Sequence, residues 1–184
     1  GDMAAAAGTS KRTLYNNYAD KEQLFRHILE ETIAHAEAFA RGIRGQFRAD
    51  MTRAEVQASL HELGQRLAFG VVRPEVIALR RLLIREAGAF PELARGYYER
   101  APGAVLRAIA AGMRVWMRAG LMRKVAATRA AEQFAYSVIG GILDRAILLN
   151  ATPPPAKLRA SAKLGVDIFL AGMRPPPGGQ TRAS

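Results

Sequence analysis

From Leu24 to Ile43 apolar side chains return every three or four residues, at Leu24, Phe25, Ile28, Leu29, Ile33, Phe39, Ala40 and Ile43, with Thr32 and Ala36 filling the same stripe. That spacing is the period of an α-helix, sustained for about six turns. A helix of this length can leave one domain and enter another. The period recurs along the chain. Val56, Leu60, Leu63 and Leu67 mark a helix over 53–70, Pro74 opens one reaching Gly88, and "GAFPEL" breaks the pattern. A short helix is expected at 92–99, and Pro102 opens another that runs to Ala119. Pro is suited to a first helical turn because its missing N–H has no acceptor there. "AGLM" reads as a turn, 127–149 as a long helix halted by "TPPP", and 156–172 as the last helix. No segment alternates with the period of a strand, so the fold class is all-α.

The chain of 184 residues is 49% apolar, which suits a globular protein with a real core. It has no cysteine, so disulfides and thiolate metal sites are excluded. No apolar run reaches membrane length and no export signal opens the sequence, so no membrane partner and a cytoplasmic location are expected. The net charge of +11 suggests nucleic acid, but its distribution does not support that reading. Residues 1–50 hold seven cations and seven anions, and the whole excess lies in 51–184. A nucleic-acid assignment must rest on a motif.

That motif is "AAAAGTSKRTLYNNYADKEQLF". A helix–turn–helix needs a small residue where its helices cross, a Gly in the turn and a buried apolar anchor on its second helix. Ala4, Gly8 and Leu14 fall at that spacing. Residues 2–8 read as the first helix, 11–17 as the second with Ser10 as its cap, and Asp20 caps the long helix, with Gln23 completing a capping-box variant. The stretch resembles the DNA-binding signature of the TetR family of bacterial regulators. A second segment, "RRLLIREAGAFPELARGYYERAPGAVLRAIAAGMRVWMRAGLM", is similar to the C-terminal domain of its AefR-like branch. The matching positions are Arg81, Leu82, Glu86, Phe90, Pro91, Glu92 and Leu93. Thr9, Asn17 and Tyr18 depart from the family's usual Val, His or Tyr, and Phe.

The resemblance implies a TetR-like fold. Residues 1–45 would hold a partial DNA-binding domain and connecting helix, 46–174 a helical ligand-binding and dimerisation domain, and 175–184 a disordered tail. It also implies that Thr13, Tyr15 and Lys21 contact phosphates, while Lys11, Arg12, Asn16 and Asn17 face the groove and Thr9 and Ser10 complete the DNA-binding set. Hydroxyls and lysine suit phosphate oxygens, and Arg or Asn can read base edges. Lys21 lies in a first helical turn, where the helix dipole disfavours a cation, and a phosphate at that end would explain it. The alternative for each cation is a solvated surface charge. For Leu14 and Tyr18 a core role is expected.

Met113, Trp116 and Met117 share a helical face with Ile109, and Phe90 and Tyr97 precede that helix. The set is a candidate lining for an apolar ligand pocket, with ordinary core packing as the competing reading. The helices over 127–149 and 156–172 resemble the family's dimer surface, for which Phe134, Val138, Gly141, Ile142, Leu149 and Phe169 are the candidates. The three histidines, His27, His35 and His61, are scattered, so no metal site is expected. No paired acids, nucleophile–base set or phosphate-cradling loop supports an enzyme, and no cofactor is expected.

Two readings remain. One is a homodimeric repressor released from double-stranded operator DNA by a small apolar or aromatic effector. The other is a small-molecule binding protein with a degenerate helix–turn–helix. The family's first helix is missing ahead of "GDMAAAA", and roughly 25–45 residues carrying an amphipathic helix are expected before Gly1.

Overall fold

The computed structural model describes residues 21–175. The expected helices at 2–8 and 11–17, the caps Ser10 and Asp20, and all but the first residue of the 175–184 tail lie outside the described residues.

Seven α-helices are present among the described residues: α1 (Lys21–Gly42), α2 (Arg53–Val71), α3 (Pro74–Glu86), α4 (Pro91–Arg100), α5 (Pro102–Arg118), α6 (Ala127–Leu149) and α7 (Pro155–Gly172). A 3-10 turn, Arg44–Gln46, follows α1. No strand occurs among them. Four helices place Pro in the first turn, where its fixed backbone angle favours the helix and costs no hydrogen bond. α2 begins with a capping box: Thr52 Oγ1 accepts from the Glu55 N–H at 3.2 Å, and Glu55 Oε2 accepts from the Thr52 N–H at 2.6 Å. The Thr52 N–H and hydroxyl, both donating to Oε2, hold the Glu55 carboxyl below its ordinary pKa. Gly120, at φ +73°, makes the turn after α5, and Asn150, at φ 50°, ends α6 ahead of the prolines. Such backbone angles are the ones Gly and Asn tolerate best.

The buried apolar residues form two clusters. The larger joins α2, α5, α6 and α7 with the end of α1, through Leu60, Leu63, Trp116, Phe134, Val138 and Val166 among others. The smaller joins the front of α1 to α3 and α4, through Ile28, Leu29, Ile33, Leu79, Leu82, Leu93 and Tyr97. α1 therefore belongs to both cores. Its Ile28, Leu29 and Ile33 enter the smaller, and its Ala40 and Ile43 the larger. The expected boundary at residue 45 falls between Ile43 and Phe47, which sit in the same core.

Phe47 fixes the corner after α1. Its ring lies directly on Gly112 of α5, in the space a Cβ there would take. It also meets Trp116 with ring centroids 4.5 Å apart and planes tilted by 45°. Arg100 of α4 ties the front of α1 to the same body. Its Nη1 donates to Glu30 at 2.9 Å and its Nε donates to Glu37 at 3.1 Å.

Helices α2, α6 and α7 approach closely at glycines. A Cβ on Gly64 would meet Val166 Cγ2 at 2.7 Å, and one on Gly165 would meet the Ser137 carbonyl carbon at 2.7 Å and Val138 Cα at 2.9 Å. The obstacle at Gly165 is backbone, which cannot rotate away. Gly165→Ala is expected to destabilise the fold by about 1–3 kcal/mol, as overpacking does. Gly96→Ala meets no atom within 4 Å and is expected to stabilise α4 slightly through helix propensity. Urea midpoints of the two variants against the parent check this. A Gly165→Ala midpoint at the parent value would refute the close-approach argument.

Candidate functional site

A cleft of about 630 Å³ lies where the two cores meet. α1 forms one wall with Ile28, Thr32, Ala36 and Phe39, and α3 and α4 contribute Arg80 and Tyr97. α2, α5 and α6 supply the apolar remainder, including Leu67, Val105, Leu106, Ile139 and Leu143. The volume is that of an ordinary small-molecule site, and a mostly apolar lining with a few polar groups is the usual composition of one.

The polar groups on the rim have defined partners. Thr32 Oγ1 donates to the Ile28 carbonyl at 3.2 Å. His35 Nδ1 lies 2.9 Å from the Glu31 carbonyl. A carbonyl only accepts, so Nδ1 carries the proton in that bond. Arg73 pairs with Glu75. The Arg66 guanidinium lies 3.8 Å from Glu62 and 4.8 Å above the Phe39 ring centroid. Arg80 lies over the Tyr97 ring, 5.8 Å from its centroid.

Of the six residues expected to line a pocket, Tyr97 lines this cleft. Ile109, Met113 and Trp116 are fully buried and Met117 nearly so, all inside the larger core, and none of the four reaches the cleft. The Trp116 indole N–H has no hydrogen-bond partner, yet it is sealed beneath Phe47 rather than presented to a ligand site. Phe90 packs against the smaller core and is not in the lining. The face of α5 that carries Met113 and Trp116 is thus core, the competing reading. Phe39, read from the sequence only as part of a helical stripe, and Arg66 and Arg80, not singled out there, line the cleft instead. Their signal was slight: apolar or cationic residues at the edges of amphipathic stripes.

The residues expected at a dimer surface divide in two. Phe134, Val138, Ile142 and Phe169 are buried within the chain, Phe134 and Phe169 meeting edge to face at 5.3 Å. Gly141 and Leu149 are exposed. The outward faces of α6 and α7 carry Leu148, Leu149, Leu164 and Ile168, each about 60–70% exposed, together with Tyr136. A Cβ on Gly140 or Gly141 meets no atom of the chain within 4 Å. The close approach between α6 and α7 is made at Gly165.

Thr9, Ser10, Lys11, Arg12, Thr13, Tyr15, Asn16 and Asn17 lie outside the described residues. The Lys21 backbone begins α1. No group of three or more His, Asp or Glu suited to a metal occurs among the described residues. No helix among them is long and apolar enough to cross a membrane.

This all-helical body is shared with solved transcriptional regulators. The model of the AefR-like transcriptional repressor C-terminal domain matches residues 58–174. A solved structure described as a TetR-family transcriptional regulator from Mesorhizobium loti superposes with a TM-score of 0.77 at 25% identity, covering 93% of this chain and 84% of that one. The flavonoid-responsive regulator FrrA gives a TM-score of 0.63 at 25% identity, over 94% of this chain and 85% of its own. The uncharacterized HTH-type transcriptional regulator YvaF of Bacillus subtilis is 50% identical over 42 residues, a stretch that spans 23% of this chain and 22% of YvaF. The chain belongs to the TetR family of transcriptional regulators, in its AefR-like branch.

Proposed function

We propose that the protein is a homodimeric repressor released from operator DNA when a small apolar or aromatic effector occupies the cleft between its two cores. The observation that carries this reading is the position of α1. Its side chains wall the cleft, and its first turn follows directly on the helix–turn–helix motif at residues 4–18. A ligand touching Thr32, Ala36 and Phe39 acts on the element that holds the DNA-reading end. The name of FrrA adds support for a flat aromatic effector.

The mechanism is a population shift. A ligand that binds one tilt of α1 better than another moves the equilibrium by its difference in affinity between the two, and by no more. Two recognition helices must enter successive major grooves about 34–36 Å apart, so a small tilt in each protomer removes the match. In this reading Thr13, Tyr15 and Lys21 hold phosphates, and Thr9, Ser10, Lys11, Arg12, Asn16 and Asn17 complete the DNA contact. Dimerisation uses the outward faces of α6 and α7, with Gly141 at the seam.

Two experiments test the parts separately. In the intact chain, binding to duplex from the promoter beside its own gene is expected to weaken steeply with salt. Lys21→Ala should reduce the log–log salt slope by about one unit, the loss of a single phosphate contact. An unchanged slope would remove Lys21 from the phosphate set. For the dimer, Gly141→Leu introduces a side chain whose Cβ has free space within the protomer. It is therefore expected to leave the unfolding midpoint of the isolated chain largely intact while shifting sedimentation toward monomer. A parent protein that sediments as a monomer at micromolar concentration would overturn the homodimer.

A further inference from the structure

The cleft holds an arginine for which the described residues supply no carboxylate. Its lining includes three arginines, Arg66, Arg73 and Arg80, and two glutamates, Glu31 and Glu75. Arg73 is matched by Glu75 and Arg66 by Glu62. Glu31 lies against His27 at 3.7 Å, an ion pair only while that histidine is protonated. Arg80 has no ion pair among the described residues, and its Nε is buried without a hydrogen-bond acceptor. Its one specific contact is the Tyr97 ring beneath it. Arginine keeps its charge at any ordinary pH and presents a planar fork suited to carboxylate geometry. A guanidinium partly shielded from water, and without a counter-ion, attracts an anion far more strongly than one in bulk solvent. The ring of Tyr97 fixes the guanidinium from one side by a cation–π contact. The space beyond is walled by Phe39, Leu67, Val105, Leu106, Ile139 and Leu143, all apolar.

We propose that the cleft selects amphiphilic organic anions: an apolar body lies against these six side chains, and one carboxylate or other acidic group pairs with Arg80. The proposal rests on the reading of the cleft as the effector site and names the class of effector. Arg80 supplies charge recognition and the apolar walls supply most of the affinity, so a neutral molecule of the same shape binds more weakly.

Two dyes separate charge from shape. Anilinonaphthalene sulfonate carries one negative group on an apolar body, and phenylnaphthylamine is nearly the same body without it. Fluorescence titration of the intact chain is expected to show tighter binding of the sulfonate. Arg80→Gln should weaken the sulfonate by about tenfold or more, the worth of a charge-assisted bond, and leave phenylnaphthylamine within about twofold. Arg66→Gln, whose charge is already paired, should have the smaller effect on the sulfonate. Decanoate should displace the sulfonate from the parent protein far better than decanol.

Equal affinity of the parent for both dyes would overturn the anion assignment, while leaving the cleft as a ligand site. Equal weakening of both dyes by Arg80→Gln would also overturn it, since Arg80 would then be shaping the cleft rather than reading charge. Binding of neither dye would remove the cleft reading itself. Should Arg80→Gln fail to unfold cooperatively, the parent's dye preference and its decanoate–decanol contrast still decide the question.

Discussion

The Phe47 ring on Gly112 is the contact that sets the position of α1. A side chain at residue 112 would occupy the same space as the ring. The absence of a Cβ there lets the corner after α1 settle onto α5 and against Trp116. With the corner anchored, the last turn of α1 joins the larger core through Ala40 and Ile43, and its front half has to find a second core with α3 and α4. The cleft exists because these two cores do not merge. A helix that belongs to both must cross the gap, and that is how α1 comes to form a wall of the cleft.

The same geometry explains why the cleft is apolar in its depth and polar at its rim. The lining residues from α2, α5 and α6 are the margins of stripes whose centres are packed away, so they remain apolar. Arginines at the edge of the cleft lay their stems on apolar surface. Arg66 over Phe39 and Arg80 over Tyr97 both use an aromatic face in this way. Each joins two elements, α2 to α1 in one case and α3 to α4 in the other. Only Arg66 has a carboxylate of its own.

Most helix bounds were legible in the sequence, because local rules set them. Pro74, Pro102 and the 127–149 stripe mark starts and ends that no tertiary contact overrode. The site was less legible. Periodicity tells which face of a helix is turned inward, but not whether the facing helices close over it. Met113 and Trp116 have the composition of a ligand pocket and are fully buried, Trp116 against Phe47, a residue more than sixty positions away in the chain. The dimer candidates divided for the same reason. The most apolar stripe of α6, Phe134, Val138 and Ile142, is used to hold the chain together. The apolar residues left outside are Leu148, Leu164 and Ile168 with the candidate Leu149, and the letters alone do not separate them from their buried neighbours.

Arg100 has a mechanical consequence. Its guanidinium is held between Glu30 and Glu37, two carboxylates seven residues apart on α1, or about 10 Å along the helix axis. Sliding α1 along its axis moves both carboxylates the same way and breaks both contacts. Tilting it about the point between them leaves each nearly in reach. The fork therefore acts as a fulcrum rather than a clamp. The first turn of α1 stands about 19 Å from that point, so a tilt of about ten degrees carries it sideways by about 3 Å. In such a tilt Ile28 and Ile43, on opposite sides of the fork, would move in opposite directions, so both cores have to give with it.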